Sequence, residues 1–552
     1  MKPDVDYSLY LVTDSTPAIL GARHLVEVVD QALTGGVTIV QYRDKTSDTG
    51  DLIQTAKALH AKCKQHKIPL LINDRVDVAL AVGCEGVHLG QDDMNIATAR
   101  SLLGPDAIIG ATVSSIDEAR IAVERGADYL GIGTLYATST KKNTKDIIGI
   151  NGIRAILRAL SQGDEAAKSV KTVCIGGVNA SNVQLVKHQL QAPTPTTPSP
   201  KTIDGVAIVS AIIGAEDPKS ASEKLSHLFH SPPPFSSQGI PLWLEKAEDE
   251  LSSLKASTNK ALKNVHAKTP LSHNMTNTVV QSLAANVALS IGASPIMSFN
   301  GAEAPDLAAL AGGLVVNMGT ATPDAVHNQR TAIRAYNAVG GPVVLDPVGA
   351  GATQVRREAL AFLLQSGYFD LVKGNEREIL AVARASGFEV GGEGGPQRGV
   401  DSGDALFGLA QRADIVRQVA ARERNVVLMT GAVDVLSDGV RTYSVQNGSK
   451  YLGMITGSGC TLGTTLAAYL AANREEGGGD KLRAALAGIL HFEVAAETAA
   501  ERDDVKGPGT FVPAFLDELY NRRMDIVEGR EWWDYVKVGI MKDVTDTGIL
   551  KL

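Results

Sequence analysis

The sequence predicts an α/β protein of two large domains, the first an eightfold βα barrel. Its 552 residues exceed a single ordinary core, since about 100 to 200 residues make one domain. Hydrophobic residues at 44% and charged residues at 21% are the balance of a globular chain able to bury sizeable cores. Through the N-terminal part, short apolar runs alternate with helical patterns, the signature of repeated βα units and a parallel sheet.

Strands are predicted at 8–12, 38–41, 69–72, 86–89, 107–110, 129–132, 172–175 and 205–209, and eight βα units in this length predict a (β/α)8 TIM barrel. The run Ser231-Pro-Pro-Pro-Phe-Ser-Ser-Gln-Gly-Ile-Pro241 ends that domain, because three consecutive prolines fit neither a helix nor a central strand. The predicted division is therefore 1–230, a linker at 231–241, and 242–552. A second Pro-rich stretch, 191–201, lies between segments that read as regular structure and precedes strand eight, so it is expected to be an exposed insertion on the face away from chemistry. The glycines around Gly391 to Gly395 mark a loop in the second domain. That domain again reads as α/β, with strands at 313–317, 342–345, 371–372 and 425–429.

Barrel active sites use the C-terminal ends of the strands and the loops that follow, and polar residues collect there. Strand two ends in Gln41-Tyr-Arg43-Asp-Lys45, strand three in Asn73-Asp74-Arg75, strand four in Gln91-Asp92-Asp93, strand five in Ala111-Thr112, and strand six runs into Thr138-Ser139-Thr140-Lys141. Arg43, Lys45 and Lys141 suit a phosphate or diphosphate, while Asp74 and Asp93 offer hard oxygen ligands for Mg²⁺. Thr138, Thr140, Gly176-Gly177 after strand seven and Ser210 after strand eight make a second phosphate cradle. Two cradles imply two phosphorylated ligands. Any one of these residues could be a solvated loop charge, but chance does not gather nearly all of them on one rim. His88, inside strand four, reads as a hydrogen-bonded core histidine.

These motifs, Q-x-R-x-K, N-D after strand three, H-x-G-Q-x-D at His88 to Asp93, T-x-T-K and I-G-G, resemble the thiamine phosphate synthase family over residues 7–228. The resemblance implies that Gln41, Arg43, Lys45, Asn73, Thr112 and Lys141 hold an aminopyrimidine diphosphate and that Asp74 and Asp93 hold Mg²⁺. It implies a thiazole phosphate on Thr138, Ser139, Thr140, Gly177, Val209 and Ser210. Thr112 stands where the family usually has serine and keeps the hydroxyl. The family reaction displaces diphosphate by the thiazole nitrogen through a pyrimidine cation. The residues suit it: they stabilise a departing anion and include no obvious nucleophile.

The second domain has no G-x-x-x-x-G-K-[ST], so a nucleotide enzyme here is not a P-loop protein. Thr456-Gly457-Ser-Gly459-Cys460-Thr-Leu-Gly463 opens an Ala-rich helix whose free N–H groups form an anion hole at its positive end; alone, such a pattern serves close packing as often. It is joined by His273-Asn-Met-Thr-Asn277, Gly292-Ala-Ser-Pro-Ile-Met297, Asp346-Pro-Val-Gly-Ala-Gly351, Lys373-Gly-Asn375-Glu-Arg-Glu378, Met429-Thr-Gly431 and Lys506-Gly-Pro-Gly-Thr510. Together they resemble hydroxyethylthiazole kinase, a ribokinase-like fold, over residues 255–540. The resemblance implies that Met297 and Gly457 contact the thiazole alcohol, that Lys373 and Thr430 contact ATP, and that Asp346 and Glu378 organise Mg²⁺. Lys373 stands where bacterial members commonly have arginine, keeping charge but losing the bidentate fork. Cys460 stands where wider sugar-kinase relatives place an aspartate base. A thiol lowered somewhat by the helix end is a poor base, so its role as base or structural thiol stays open. Family kinases build their sites between subunits, which implies a homo-oligomer, a trimer or hexamer.

The two halves fit each other, since a kinase makes the thiazole phosphate that the barrel consumes, and the pair resembles the bifunctional thiamine biosynthesis proteins of fungi. A sensor that binds thiamine intermediates without catalysis, or a kinase and barrel acting on other substrates, are the competing readings. A net charge of −8 gives no basic footprint for nucleic acid or an anionic membrane. No apolar run approaches the ~18 residues of a bilayer span. Tyr7 to Val12 follows the start too closely for a leader, and the four cysteines form no C-x-x-C pair, so a cytoplasmic protein with free thiols is expected.

Overall fold

A computed structural model of the chain describes residues 4–137, 147–191, 201–236, 247–391, 406–475 and 479–552. Two compact units emerge, Met1–Pro233 and Pro234–Leu552. In the first, β1 (Leu9–Val12), β2 (Ile39–Tyr42), β3 (Leu70–Asn73), β4 (Gly86–Leu89), β5 (Ile108–Val113), β6 (Tyr129–Ile132), β7 (Lys171–Ile175) and β8 (Gly205–Ile208) close a parallel barrel in sequence order, β8 pairing with β1. Alternation along the strands makes two cores. Tyr10, Ile39, Leu71, Ile108, Tyr129, Val173 and Ala207 fill the interior. Leu9, Leu11, Val40, Leu70, Ile109 and Leu130 face the surrounding helices.

Strand five differs from the predicted 107–110. It runs on to Val113, because Thr112 and Val113 pair with Gly131 and Ile132 of β6. Thr112 is thus a strand residue with a fixed direction rather than a loop residue.

The second unit is built on β9 (Leu271–Met275), β10 (Ser294–Ile296), β11 (Gly313–Asn317), β12 (Val343–Asp346), β13 (Leu371–Asn375), β15 (Val426–Thr430), β16 (Asp434–Ser437), β17 (Thr442–Val445) and β18 (Val538–Ile540), with β14 (Glu389–Val390) and β19 (Leu550–Lys551) as a separate antiparallel pair. The large sheet has the order β10-β9-β11-β12-β13-β15-β16-β17-β18 and is parallel as far as β15, antiparallel beyond. Sequence periodicity locates β11, β12, β13 and β15 and misses the rest. Strand β9 is hidden because Ser272, His273 and Asn274 are buried polar residues. They are satisfied by hydrogen bonds, His273 to the Ser298 carbonyl and Asn274 to Thr464.

Alternation again separates two cores. Val315, Val344, Leu371, Val426 and Leu428 pack on the buried helices Ser458–Ala472, Lys481–Glu501 and Pro508–Val527, while Leu314, Val316, Val343, Leu345, Val372 and Val427 face the other layer. The apolar end of the Pro-rich stretch is part of this unit. Phe235 stacks on Tyr368 with ring centroids 4.9 Å apart, and its carbonyl accepts from Lys481 Nζ. Residues 237–241 of the expected linker, most of the 191–201 stretch and most of the Gly391 to Gly395 run lie outside the described residues. Among the described residues no helix is long and apolar enough to cross a membrane.

Candidate active sites

Period two places Gln41, Asn73 and Thr112, two or four residues beyond the interior residues Ile39, Leu71 and Ile108, on the inner face at the C-terminal ends of their strands. Gln41 Nε2 donates to Asn73 Oδ1 at 2.9 Å. Beyond them Lys45 Nζ meets Asp74 Oδ2 at 3.0 Å. Asp74 turns the chain with φ +63° while its N–H donates to the His88 carbonyl. Asp93 Oδ2 accepts from Gly90 N at 2.7 Å. Arg43, half-buried, is anchored through its backbone, its N–H donating to Thr13 Oγ1 at 2.9 Å.

The two carboxyls act on each other in opposite directions. Burial opposes charge on Asp74, but the hydrogen bond from Asp93 and the Lys45 ammonium outweigh it and hold Asp74 below the usual carboxylate range. Burial and the same hydrogen bond push Asp93 up. Two hard oxygen donors at one barrel mouth, each acting on the other, are a fitting pair for a divalent cation. Gly177 follows β7, and its carbonyl accepts from the Asn179 and Asn182 side chains. Val209 and Ser210 lead from β8 into the short turn Ser210–Ile213. Thr138, Ser139, Thr140 and Lys141 lie outside the described residues.

In the second unit the functional groups stand at the C-terminal ends of the parallel strands, where α/β sheets bind ligands. Asp346 ends β12 and is buried, with Oδ2 accepting from Asn317 Nδ2 at 2.8 Å and Oδ1 lying 3.0 Å from Lys373 Nζ. Oδ1 has no hydrogen-bond donor aligned on it, only that ammonium. Lys373 also donates to the Gly459 carbonyl at 2.7 Å, in the first turn of the helix Ser458–Ala472. Burial alone would lower this lysine, but Asp346 keeps its pKa above the ordinary value, and burial pushes Asp346 up in turn against the Lys373 ammonium and the Asn317 hydrogen bond. Asn277 Nδ2 bridges Asn317 Oδ1 at 3.2 Å and Cys460 Sγ at 3.4 Å.

The loop after β12 is held by two residues. Arg356 donates to the Met318, Val348 and Gly319 carbonyls, and Glu378 accepts from Gly349 N and Asn375 N. Burial and the Asp346 charge push Glu378 up to about 7. Gly457 sits at φ +89°, and a Cβ there would lie 2.2 Å from Val280 Cγ1, so both the turn and its neighbour require glycine. Thr430 is half-buried at the end of β15, opposite Asn375. Met297 is half-buried directly after β10.

Comparison with known proteins decides the family. The family model for thiamine monophosphate synthase matches residues 9–212 and that for the hydroxyethylthiazole kinase family matches 262–524. A probable thiamine biosynthetic bifunctional enzyme of Schizosaccharomyces pombe is 41% identical over 97% of this chain and 98% of its own length. The thiamine biosynthetic bifunctional enzyme of Saccharomyces cerevisiae is 35% identical over 94% and 96%. The chain belongs to the family of bifunctional thiamine biosynthetic enzymes. Its N-terminal unit is a thiamine-phosphate synthase and its C-terminal unit a hydroxyethylthiazole kinase. A solved structure of hydroxyethylthiazole kinase from Pyrococcus horikoshii covers 52% of this chain and 99% of its own, at 33% identity and a TM-score of 0.44.

Within the synthase unit the structure brings Gln41 to Asn73 and Lys45 to Asp74 and Asp93. His88 is hydrogen-bonded at both ring nitrogens, as a core histidine should be, but one partner is Thr112, a candidate site residue. In the kinase unit Asp346, Lys373 and Cys460 converge around Asn277 and Asn317. Asn317 and Arg356 are not evident in the sequence. Asn317 had a usable signal, since it occupies the last position of β11 directly beside Asp346. Arg356, in the first turn of the helix Gln354–Ser366, looks like any solvated arginine. The expected lowering of the Cys460 thiol is corrected: burial and the Asp346 charge outweigh Lys373 and push it up to about 11. Among the described residues no group of three or more His, Cys, Asp or Glu is arranged to hold a metal ion.

Proposed function

We propose that the kinase unit phosphorylates 4-methyl-5-(2-hydroxyethyl)thiazole with ATP, and that the synthase unit joins the resulting thiazole phosphate to 4-amino-2-methyl-5-(diphosphooxymethyl)pyrimidine, giving thiamine phosphate and diphosphate. One observation carries the synthase half: Gln41, Asn73, Thr112, Lys45, Asp74 and Asp93 meet at one mouth of one barrel. In this reading Arg43, Lys45 and Lys141 take the charge of the departing diphosphate as its C–O bond breaks, and the thiazole nitrogen supplies the electron pair for the new C–N bond. Asp74 and Asp93 hold Mg²⁺, which supplies neutralising charge on the diphosphate. Gln41, Asn73 and Thr112 orient the pyrimidine. Thr138, Ser139, Thr140, Gly177, Val209 and Ser210 take the thiazole phosphate.

For the kinase, Met297 and Gly457 receive the thiazole alcohol, and Lys373 and Thr430 serve the ATP phosphates. Asp346 and Glu378 organise Mg²⁺, Asp346 with its unaligned Oδ1 and Glu378 through the Gly349 loop. Cys460 is assigned to the site as a thiol. Phosphoryl transfer through a loose transition state depends on positioning and charge, which the Lys373–Gly459 contact supplies at the helix start.

A trimer or hexamer in the cytoplasm completes the proposal. Exposed apolar residues flank the segments that carry the thiazole contacts: Val279 at 73% exposure, Phe299 two residues after Met297, and Met454 three before Gly457. All four cysteines are free, as suits a reducing compartment. A monomer by light scattering overturns the assembly, and sedimentation of the protein with organelles in cell fractionation overturns the location. The activities are tested by supplying thiazole alcohol, pyrimidine diphosphate, ATP and Mg²⁺ and omitting each in turn. Thiamine phosphate that requires all four supports both halves. Product only when thiazole phosphate replaces alcohol and ATP sinks the kinase substrate assignment.

A further inference from the structure

Beneath the synthase site lies a line of hydrogen bonds that the reaction as described does not use. The Tyr10 and Tyr129 hydroxyls meet 2.6 Å apart in the barrel interior, Tyr129 OH lies 2.7 Å from His88 Nδ1, and His88 Nε2 lies 2.8 Å from Thr112 Oγ1. Room is made for both rings by absent side chains. A Cβ on Gly110 would stand 2.0 Å from the Tyr129 ring, and one on Gly131 would stand 3.0 Å from His88 Cε1.

Such a line can be polarised in two ways, and its buried end decides between them. If Thr112 donated to His88 Nε2, then His88 Nδ1–H would donate to Tyr129 and Tyr129 to Tyr10. The Tyr10 O–H would then have no acceptor, although this side chain is fully enclosed, and a buried donor without a partner is costly. In the opposite order Tyr10 donates to Tyr129, Tyr129 donates to His88 Nδ1, and His88 Nε2–H donates to Thr112 Oγ1. Every proton passed along this line, from Tyr10 to Thr112 Oγ1, then has an acceptor. Burial keeps both phenols protonated, which maintains the order.

We propose that Tyr10, Tyr129 and His88 are positioning residues that lock His88 in its Nε2–H form and leave the Thr112 hydroxyl proton aimed at the substrate. Thr112 is thereby a fixed donor, selecting an acceptor on the pyrimidine diphosphate, a ring nitrogen or a diphosphate oxygen. The proposal rests on the reading that Thr112 touches that substrate. On this proposal only the hydroxyl of Thr112 takes part, so Thr112→Ser should keep the synthase activity.

Two measurements on the full chain test it. Nitrogen-15 NMR of the imidazoles, with the His88 signal assigned by its loss in His88→Gln, should show Nε2 protonated and Nδ1 bare; a proton on Nδ1 overturns the relay whatever the kinetics. Tyr129→Phe should lower synthase kcat/KM about tenfold, with kinase activity of the same molecule as an internal measure of enzyme concentration and an unchanged heat-inactivation midpoint of the synthase activity as the measure of a folded barrel. In a Thr112→Ala background the same change should cost less than about twofold, because the relay acts through the hydroxyl. Equal fractional losses in both backgrounds make Tyr129 a packing residue and overturn the proposal. Should Tyr129→Phe fold poorly, Tyr10→Phe carries the same comparison with a smaller loss expected. Full activity of Thr112→Ala sinks the substrate contact alone, and the His88 proton still decides the relay.

Discussion

The two sites of this chain handle charge in opposite ways. At the barrel mouth the Lys45–Asp74 pair has side-chain exposures of 56% and 21%. In the kinase unit the Lys373–Asp346 pair, at the same 3.0 Å separation, has 4% and 1%. Equal distances therefore carry unequal consequences. An exposed pair contributes about 0–1 kcal/mol to stability, and its members are free to exchange partners when an anion arrives. Breaking a buried pair by removing one partner costs about 3–5 kcal/mol, because the remaining charge is stranded out of water. The synthase site keeps its charges available for a ligand, whereas the kinase site has built them into the fold.

The largest expected effect follows directly. Lys373→Met should lower the stability of the kinase unit by about 3–5 kcal/mol and abolish kinase activity, while synthase activity in the same molecule survives. Heat-inactivation midpoints of the two activities, followed in parallel, measure this. A kinase midpoint that does not move means that Asp346 finds another partner or takes a proton without cost. At the barrel mouth the expectation reverses. Lys45→Ala should change stability by less than about 1 kcal/mol but reduce synthase kcat/KM by about 10²-fold, as loss of one charge-stabilising group does. Loss of both properties together would break the contrast between the sites.

A smaller effect sharpens the same point through pH. Burial pushes Asp434, at the start of β16, up to about 7, against the Gly431 N–H and the Arg412 and Lys373 charges. The unfolded chain releases this proton near the ordinary value of 3.8, and the folded chain holds it to about 7. Between those values the native state binds more protons, so stability falls as pH rises, by at most about 1.4 kcal/mol per pH unit from this group. Asp434→Asn should flatten that decline. Denaturant midpoints of the kinase unit from pH 4.5 to 7.5 are the measurement, and an unchanged slope would place the proton elsewhere, with Glu378, or Glu493, which burial and the Asp434 charge also push up, the next to test.

The same contrast governs what the sequence discloses. The barrel was legible because its strands are apolar inward and outward, so eight runs stand out, and because its polar residues fall at strand ends in runs such as Gln41 to Lys45 and Asn73-Asp74. Thr112 was misplaced into a loop only because its hydroxyl interrupts an apolar pattern that in fact continues to Val113. The kinase sheet was half legible. Strand β9 carries Ser272, His273 and Asn274 in its buried length, and their fitness as core residues depends on partners from Ser298 and Thr464 that no local pattern announces. Arg356 holds three carbonyls of two loops, a role that exists only once β11 and β12 are side by side. The relay beneath Thr112 was invisible for the same reason: Tyr10 and Tyr129 are 119 residues apart and meet only when the barrel closes.

The smallest predicted effect concerns Cys460, and it separates a group that looks catalytic from one that is. With its thiol pushed up to about 11, roughly one molecule in ten thousand holds a thiolate at pH 7. A base of that kind would make kinase kcat climb about tenfold with each pH unit from 7 to 9. The surroundings point the other way. Cys460 accepts from Asn277 Nδ2, and in the proposed reaction the charge that meets the phosphoryl group is that of Lys373, which donates to Gly459 at the start of the same helix. Cys460→Ser keeps an acceptor for Asn277 and removes the sulfur, so kinase kcat should change by less than about tenfold, with the pH profile retaining its shape. A steep climb that the serine variant flattens would make the thiolate the base after all.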